Sequence, residues 1–138
     1  MKRMNVCMIG ASLGLALLCC GGCKSSPAVA TSPESAETKI ARNYVTGFFA
    51  GDTTALDGLE DRIMTRGMTK EKVTDTLQKL NGFHGAFKSQ GVSRTARIAG
   101  HSVVYIPCSF EHGALDAKVI LDNHKKVAGF FFVAPGGQ

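Results

Sequence analysis

Few residues in this chain have the types and spacing that chemistry requires. Gly10-Ala11-Ser12-Leu13-Gly14 carries the Gly-x-Ser-x-Gly spacing that raises a serine nucleophile on a strained turn between a strand and a helix. That turn needs a folded sheet around it, whereas these residues lie inside an uncharged apolar run, so no nucleophile is expected there. The histidines are His84, His101, His112 and His124, and no two stand three or four apart, the spacing that aims two imidazoles at one metal from a helix. Gly100-His101, His112-Gly113 and Asn123-His124 place three of them beside turns, as exposed polar residues. Asp57, Glu60 and Asp61 fall on a short helical pattern that spreads them around the helix, a solvated face rather than a paired acid and base. No catalytic residue, metal or cofactor is therefore expected, and the chain does not read as an enzyme.

The address is easier to read. Lys2 and Arg3 precede an uncharged run from Met4 to Gly22 whose densest apolar part is Val6–Leu18, the order of a secretory signal over residues 1–22. Gly10, Gly14, Gly21 and Gly22 leave the truly apolar part shorter than the roughly 20 residues a spanning helix needs. Leu18-Cys19-Cys20-Gly21-Gly22-Cys23 resembles the lipobox of bacterial lipoprotein signals, in which small residues precede the cysteine that is diacylated. The resemblance implies a diacylglycerol on Cys23, cleavage after Gly22, and a protein anchored on the exported side of a membrane, at its periplasmic or extracellular face. Cys20 has Leu17 at the family's preferred spacing, but Gly21-Gly22 before Cys23 and the polar stretch after it favour Cys23.

The remaining cysteine fits that compartment. Cys7, Cys19 and Cys20 belong to the leader and Cys23 to the lipid, so Cys108 is the one thiol of the domain and no intrachain disulfide framework is expected. It reads as a small buried hydrophobe on a strand. Of sixteen basic side chains, Lys2 and Arg3 go with the leader, leaving fourteen against eleven acidic ones. These are scattered, without the basic cluster and aromatic interleaving of a nucleic-acid groove, so nucleic acid is not expected as a partner.

Residues 23–36, rich in Ser, Pro and Ala, read as a flexible tether. An α+β domain over 37–134 should follow, with residues 135–138 as a disordered tail. Ala41, Tyr44, Val45, Phe48 and Phe49 recur at helical spacing up to Gly51, which sits where a C-cap belongs. Asp52 is placed to cap a second helix carrying Leu56, Leu59 and Ile63. A third follows Thr69 with Val73, Leu77 and Leu80 on one face and ends at Gly82. The period then changes to two. Val104, Ile106, Cys108 and Phe110 alternate with Val103, Tyr105, Pro107 and Ser109, and Leu115, Ala117, Val119 and Leu121 with Asp116, Lys118, Ile120 and Asp122, which predicts a hairpin. Lys126–Ala134, apolar on both faces, predicts a strand that is central or covered on both sides. A weaker strand is expected within Ala86–Ile98, interrupted by Gly91, and Pro107 places its own strand at an edge or a bulge. Three helices followed by about four antiparallel strands make an α+β domain with helices on one face of a curved sheet.

Phe48-Phe49-Ala50-Gly51-Asp52, Gly85-Ala86-Phe87, Val103-Val104-Tyr105-Ile106-Pro107, Phe110-Glu111-His112-Gly113-Ala114-Leu115 and Lys126-Val127-Ala128-Gly129-Phe130-Phe131 resemble a bacterial family known as domain of unknown function 3887 over residues 37–134. The resemblance implies the cone-shaped fold of the nuclear transport factor 2 superfamily. Members of that superfamily fill the cone with side chains, bind small apolar molecules in it, or place an acid and a tyrosine inside it for proton transfer. Tyr44, Phe48, Phe87, Val104, Tyr105, Ile106, Val119 and Phe131 are the residues expected to line it, each equally suited to a packed core, and the longer apolar set on their strand favours Tyr105 outside. The leading expectation is a lipid-anchored envelope module that binds a partner protein or a small apolar ligand without catalysis. The alternatives are an isomerase- or hydratase-type enzyme using Tyr105 and a histidine such as His101, and a homodimer formed through an exposed sheet patch of Tyr105, Ile120 and Phe130 or Phe132.

Overall fold

The computed structural model describes residues 34–137, so the leader, Cys23 and most of the tether lie outside the described residues. Near the start of the described part the Ser35 hydroxyl accepts the Thr38 backbone N–H at 3.2 Å and caps α1 (Ala36–Ala50), so the first turn of this helix reaches back into the segment read as tether. Gly51 closes α1 at φ 69°, a left-handed conformation that a side chain would strain. Asp52 caps α2 (Thr53–Asp57) as expected, accepting from Ala55 N.

The second helix nevertheless ends early. Between α2 and α3 (Arg62–Gly67) the backbone leaves the helix and pairs with the first residue of the last strand: Val127 N–H donates to Leu59 O at 2.8 Å, and Asp61 N–H to Val127 O at 3.0 Å. Asp61 then restarts the helix as a cap for Ile63 N and Met64 N. Among the described residues four helices thus replace the three expected, and Ile63, expected on the apolar stripe, is exposed. The fourth, α4 (Lys70–His84), is capped by Thr69 and runs through Gly82 to stop at Gly85.

The strands β1 (Phe87–Gln90), β2 (Arg94–Ile98), β3 (His101–Phe110), β4 (Gly113–Leu121) and β5 (Val127–Val133) form one open antiparallel sheet. The single strand expected before β3 is therefore two, both on the same edge of β3, with Gly91-Val92-Ser93 between them. Pro107 lies opposite the break. Gly91 N–H donates to Pro107 O at 2.7 Å, but the return bond is impossible because proline has no N–H. The Arg42 guanidinium from α1 donates to the Gly91 carbonyl at 2.7 Å instead.

β2 and β3 are joined by Ala99-Gly100, both at positive φ (49° and 81°), the two-residue turn whose twist matches that of the strands it joins. Alanine is a poor occupant of its first position, where a left-handed conformation costs an L-residue about 1–2 kcal/mol. Ala99→Asn is expected to raise the unfolding free energy by about 0.5–1 kcal/mol in urea denaturation; an unchanged midpoint would mean the turn adds no strain.

Alternation sorts the sheet into two faces. Val104, Ile106, Cys108 and Phe110 of β3, Ala117, Val119 and Leu121 of β4, and Phe130 and Phe132 of β5 meet Ala41, Tyr44, Val45 and Phe48 of α1, with Val73 and Leu80 of α4 in the same core. Aromatic rings tie the layers together: Phe48 lies 4.9 Å from Phe130, and Phe49 stacks on Phe87 at 3.9 Å and 7°. β5 ends the sheet, pairing only with β4 among the described strands, rather than sitting at its centre. Its two inward rings account for most of its apolar character, and Phe131 stands on the other face, 55% exposed.

Candidate functional site

The residues expected to line a cone divide between the two sheet faces. Tyr44, Phe48, Val104, Ile106 and Val119 converge between helices and sheet, each at most 1% exposed, and Phe87 packs partly buried against them. Phe131 is opposite Lys118 on the outer face and is not part of that set. Tyr105 is also on the outer face, as the alternation favoured, so it does not face the helices. Phe130 and Phe132, proposed for an exposed patch, point inward with Phe131 outside in their place, and Tyr105, although on the outer face, is only 2% exposed, so the expected patch does not form as proposed.

One polar pair lies in the interior. The Tyr44 hydroxyl donates to Glu60 Oε1 at 2.6 Å, with Tyr44 fully buried and Glu60 5% exposed. Glu60 was expected on a solvated helix face. It instead occupies the extended stretch between α2 and α3, where the parallel bridge with Val127 turns its side chain inward. Its Oε2 has no partner among the described residues. Burial raises the Glu60 carboxyl above the ordinary range, against the opposing hydrogen bond from Tyr44. Burial, and then the carboxylate beside it, push the Tyr44 hydroxyl far above a free phenol. The sequence signals that mark this are Gly58, which weakens a helix, and Asp61, a second capping residue only nine positions after Asp52.

A second polar group covers the outer face. Asp116, 3% exposed, accepts from Arg94 Nη2 at 2.6 Å and from Gly136 N–H at 3.0 Å. Arg94 Nη2 also reaches Gly137 O at 3.3 Å, so the chain end expected to be disordered folds back over the sheet. The Arg94 guanidinium lies 4.6 Å and the Lys118 ammonium 5.5 Å from the Tyr105 ring centre, a cation on each flank of an aromatic face. The Tyr105 hydroxyl is buried with no partner among the described residues.

The histidines do not converge on a metal. His112 N–H donates to His84 O at 2.9 Å, a backbone contact, and among the described residues no group of three His, Cys, Asp or Glu side chains is placed to hold an ion. Cys108 is fully buried, and burial pushes its thiol up to about 11. In the folded chain it should resist iodoacetamide at pH 8 and react only in denaturant, read by peptide mapping; rapid alkylation without denaturant would show that the strand opens locally. Among the described residues no helix is long and apolar enough to cross a membrane.

No curated protein and no solved structure matches this chain. The family described as a protein of unknown function, DUF3887, matches residues 41–130, from the middle of α1 to the aromatic run of β5. That span holds every strand pairing around β3, the Tyr44–Glu60 pair and the Tyr105 face, and the chain belongs to this family.

Proposed function

We propose that this chain is a lipid-anchored protein of the cell envelope, held through a diacylglycerol on Cys23, whose domain binds a partner protein or a small ligand and does not catalyse a reaction. The order of Lys2-Arg3, the apolar run and Leu18–Cys23 supports the anchor. The observation that carries the binding reading is the packing of the expected cone lining. Tyr44, Phe48, Val104, Ile106 and Val119 contact one another with almost no exposed surface, so recognition falls to the surface of the domain. Four helices against one face of an open antiparallel sheet are compatible with a nuclear transport factor 2-like cone whose interior is filled by its own side chains.

Two experiments test this reading. Palmitate labelling in the host should mark the full chain, and Cys23→Ser should remove both the label and the protein from the membrane fraction. Label retained in Cys23→Ser but lost in Cys20→Ser would move the anchor to Cys20. Native mass spectrometry of the protein purified gently from its host should show a bound partner or small-molecule adduct, whereas a clean apo chain would count against a binding role.

A specific observation favours a second reading. Tyr44 and Glu60 form an acid and tyrosine in the interior, the groups a proton-transfer enzyme of this shape would use, with a carboxyl whose proton affinity is raised. Isomerase or hydratase turnover lost in both Tyr44→Phe and Glu60→Gln would support it. The burial of both side chains, which leaves a substrate no route to them without opening of the core, favours the binding module.

A further inference from the structure

We infer that the free edge of β2 is a docking site for an extended acidic peptide, which would add to the sheet as a further strand; the inference rests on the binding reading and gives it a place and a partner chemistry. β2 pairs with β3 on one side and with no described strand on the other, and all five of its residues are exposed. The Ala99-Gly100 turn fixes which backbone groups are available. Ile98 and His101 close a two-residue hairpin and bond each other, so Ala96 and Arg94 also bond β3, while Thr95 and Arg97 turn their N–H and C=O to the free edge. These are the groups that a guest strand pairs with.

Charged side chains on a short edge strand by themselves guard it against pairing. Here a groove flanks the strand on each face. One, of about 370 Å³, lies between β2 and the start of α1 and is lined by Ser35, Glu37, Thr95, Ala96, Arg97 and Ser102. The other, of about 330 Å³, reaches the outer face and is lined by Arg94, Thr95, Ala96, Arg97, Ile98 and Tyr105, so the two meet along the free edge of β2; the Tyr105 hydroxyl is buried with no partner among the described residues. Side chains of an added strand alternate between faces and would enter the two grooves in turn. Val92 and Ile98, at 85% and 43% exposure, offer apolar contact at either end of β2.

Charge selects the occupant. Arg97 has no ion pair among the described residues and lines both grooves; Arg94, paired with Asp116, keeps 41% of its side chain exposed beside the second, and Glu37 in the first is paired with Lys125, so the uncompensated charge along the edge is the cation of Arg97. A second copy pairing antiparallel through its own β2 would set these arginines opposite or diagonal to one another, which is repulsive, whereas acidic residues on a guest strand meet the unpaired cation of Arg97 and the exposed part of Arg94.

The test uses the full chain in detergent and a fluorescein-labelled octapeptide of alternating Glu and Val, read by anisotropy. The acidic peptide should bind at least about tenfold more tightly than its Lys-Val counterpart and than the same peptide N-methylated at alternate residues, which keeps its charge and loses its edge hydrogen bonds. Arg97→Glu should abolish the preference for the acidic peptide. Equal affinity for the acidic and basic peptides, indifference to N-methylation, or no binding at millimolar peptide would each overturn the inference. A native partner still held by Arg97→Glu would also overturn it while leaving the binding reading intact, and a chain with no native partner at all would count against that broader reading instead.

Discussion

Truncating Phe48 to alanine is expected to lower the unfolding free energy by about 3–5 kcal/mol, the range for losing a buried phenylalanine and leaving a cavity. Phe48 is 1% exposed and joins α1 to the sheet through Phe130 at 4.9 Å and Phe132 at 5.7 Å, with Phe49 at 5.6 Å beside it. Rings held on two separate elements cannot collapse into the gap without moving the helix, so the cavity term should be near its full size. For a domain of roughly 100 residues such a loss is a large part of a total near 5–15 kcal/mol and corresponds to a fall in Tm of about 15–30 °C. Urea denaturation and a thermal scan check both numbers. The result also bears on function. A loss below about 1 kcal/mol would mean that the interior already holds space beside Phe48, and would return the small-ligand reading to the inside of the fold.

Glu60 is expected to make stability depend on pH in the direction opposite to a salt-bridged carboxylate. Burial raises its folded-state value above that of the unfolded chain, so the folded state holds the proton more tightly. The contribution of this group is therefore fully present below the unfolded value, near pH 4.3, and is lost as pH rises through the raised folded value. Glu60→Gln removes the titration and retains an oxygen to accept from Tyr44. Relative to the parent, the variant should gain stability as pH rises from 4 to 8, measured as the difference between paired denaturation curves. A difference that is flat, or that slopes the other way, would mean that Glu60 is solvated in solution. Tyr44→Phe takes away the 2.6 Å hydrogen bond that Glu60 Oε1 receives. It should cost about 1–3 kcal/mol, and the same change made in Glu60→Gln should cost less, because the buried acceptor then left without its donor is an amide oxygen that cannot ionise.

These two residues show where reading along the chain succeeded and where it stopped. Phe48 was legible as a core residue because the evidence is local: Ala41, Tyr44, Val45 and Phe48 lie on one stripe of a helix ended by Gly51. Glu60 was not, because its burial depends on Tyr44 sixteen positions earlier and on a strand that begins at Val127. A helical spacing around Asp57, Glu60 and Asp61 predicts a wet face, and a backbone bond to a distant strand overrides it. The same contrast separates Tyr105 from Phe131. Tyr105 was placed on the outer face by strict alternation in β3, which the structure keeps. In β5 three consecutive phenylalanines carry no alternation, and the pairing with β4 shifts register between Ile120 and Leu121, so the side of each ring is set by the neighbouring strand.

The sequence by itself determined the α-before-β order, the caps at Asp52 and Thr69, the stop at Gly51, the hairpin of β3 and β4 and the buried state of Cys108, because each depends on backbone and side-chain preferences within a turn or two of chain. Only the tertiary structure decided that one strand becomes β1 and β2 opposite Pro107, that Arg42 supplies the hydrogen bond proline cannot, that Asp116 and Arg94 hold the chain end over the outer face, and that Glu60 lies buried against Tyr44. Apart from the β2–β3 hairpin itself, each of these joins residues at least sixteen positions apart through a hydrogen bond or a ladder, and such partners are chosen by the packing of the whole domain rather than by the local chain.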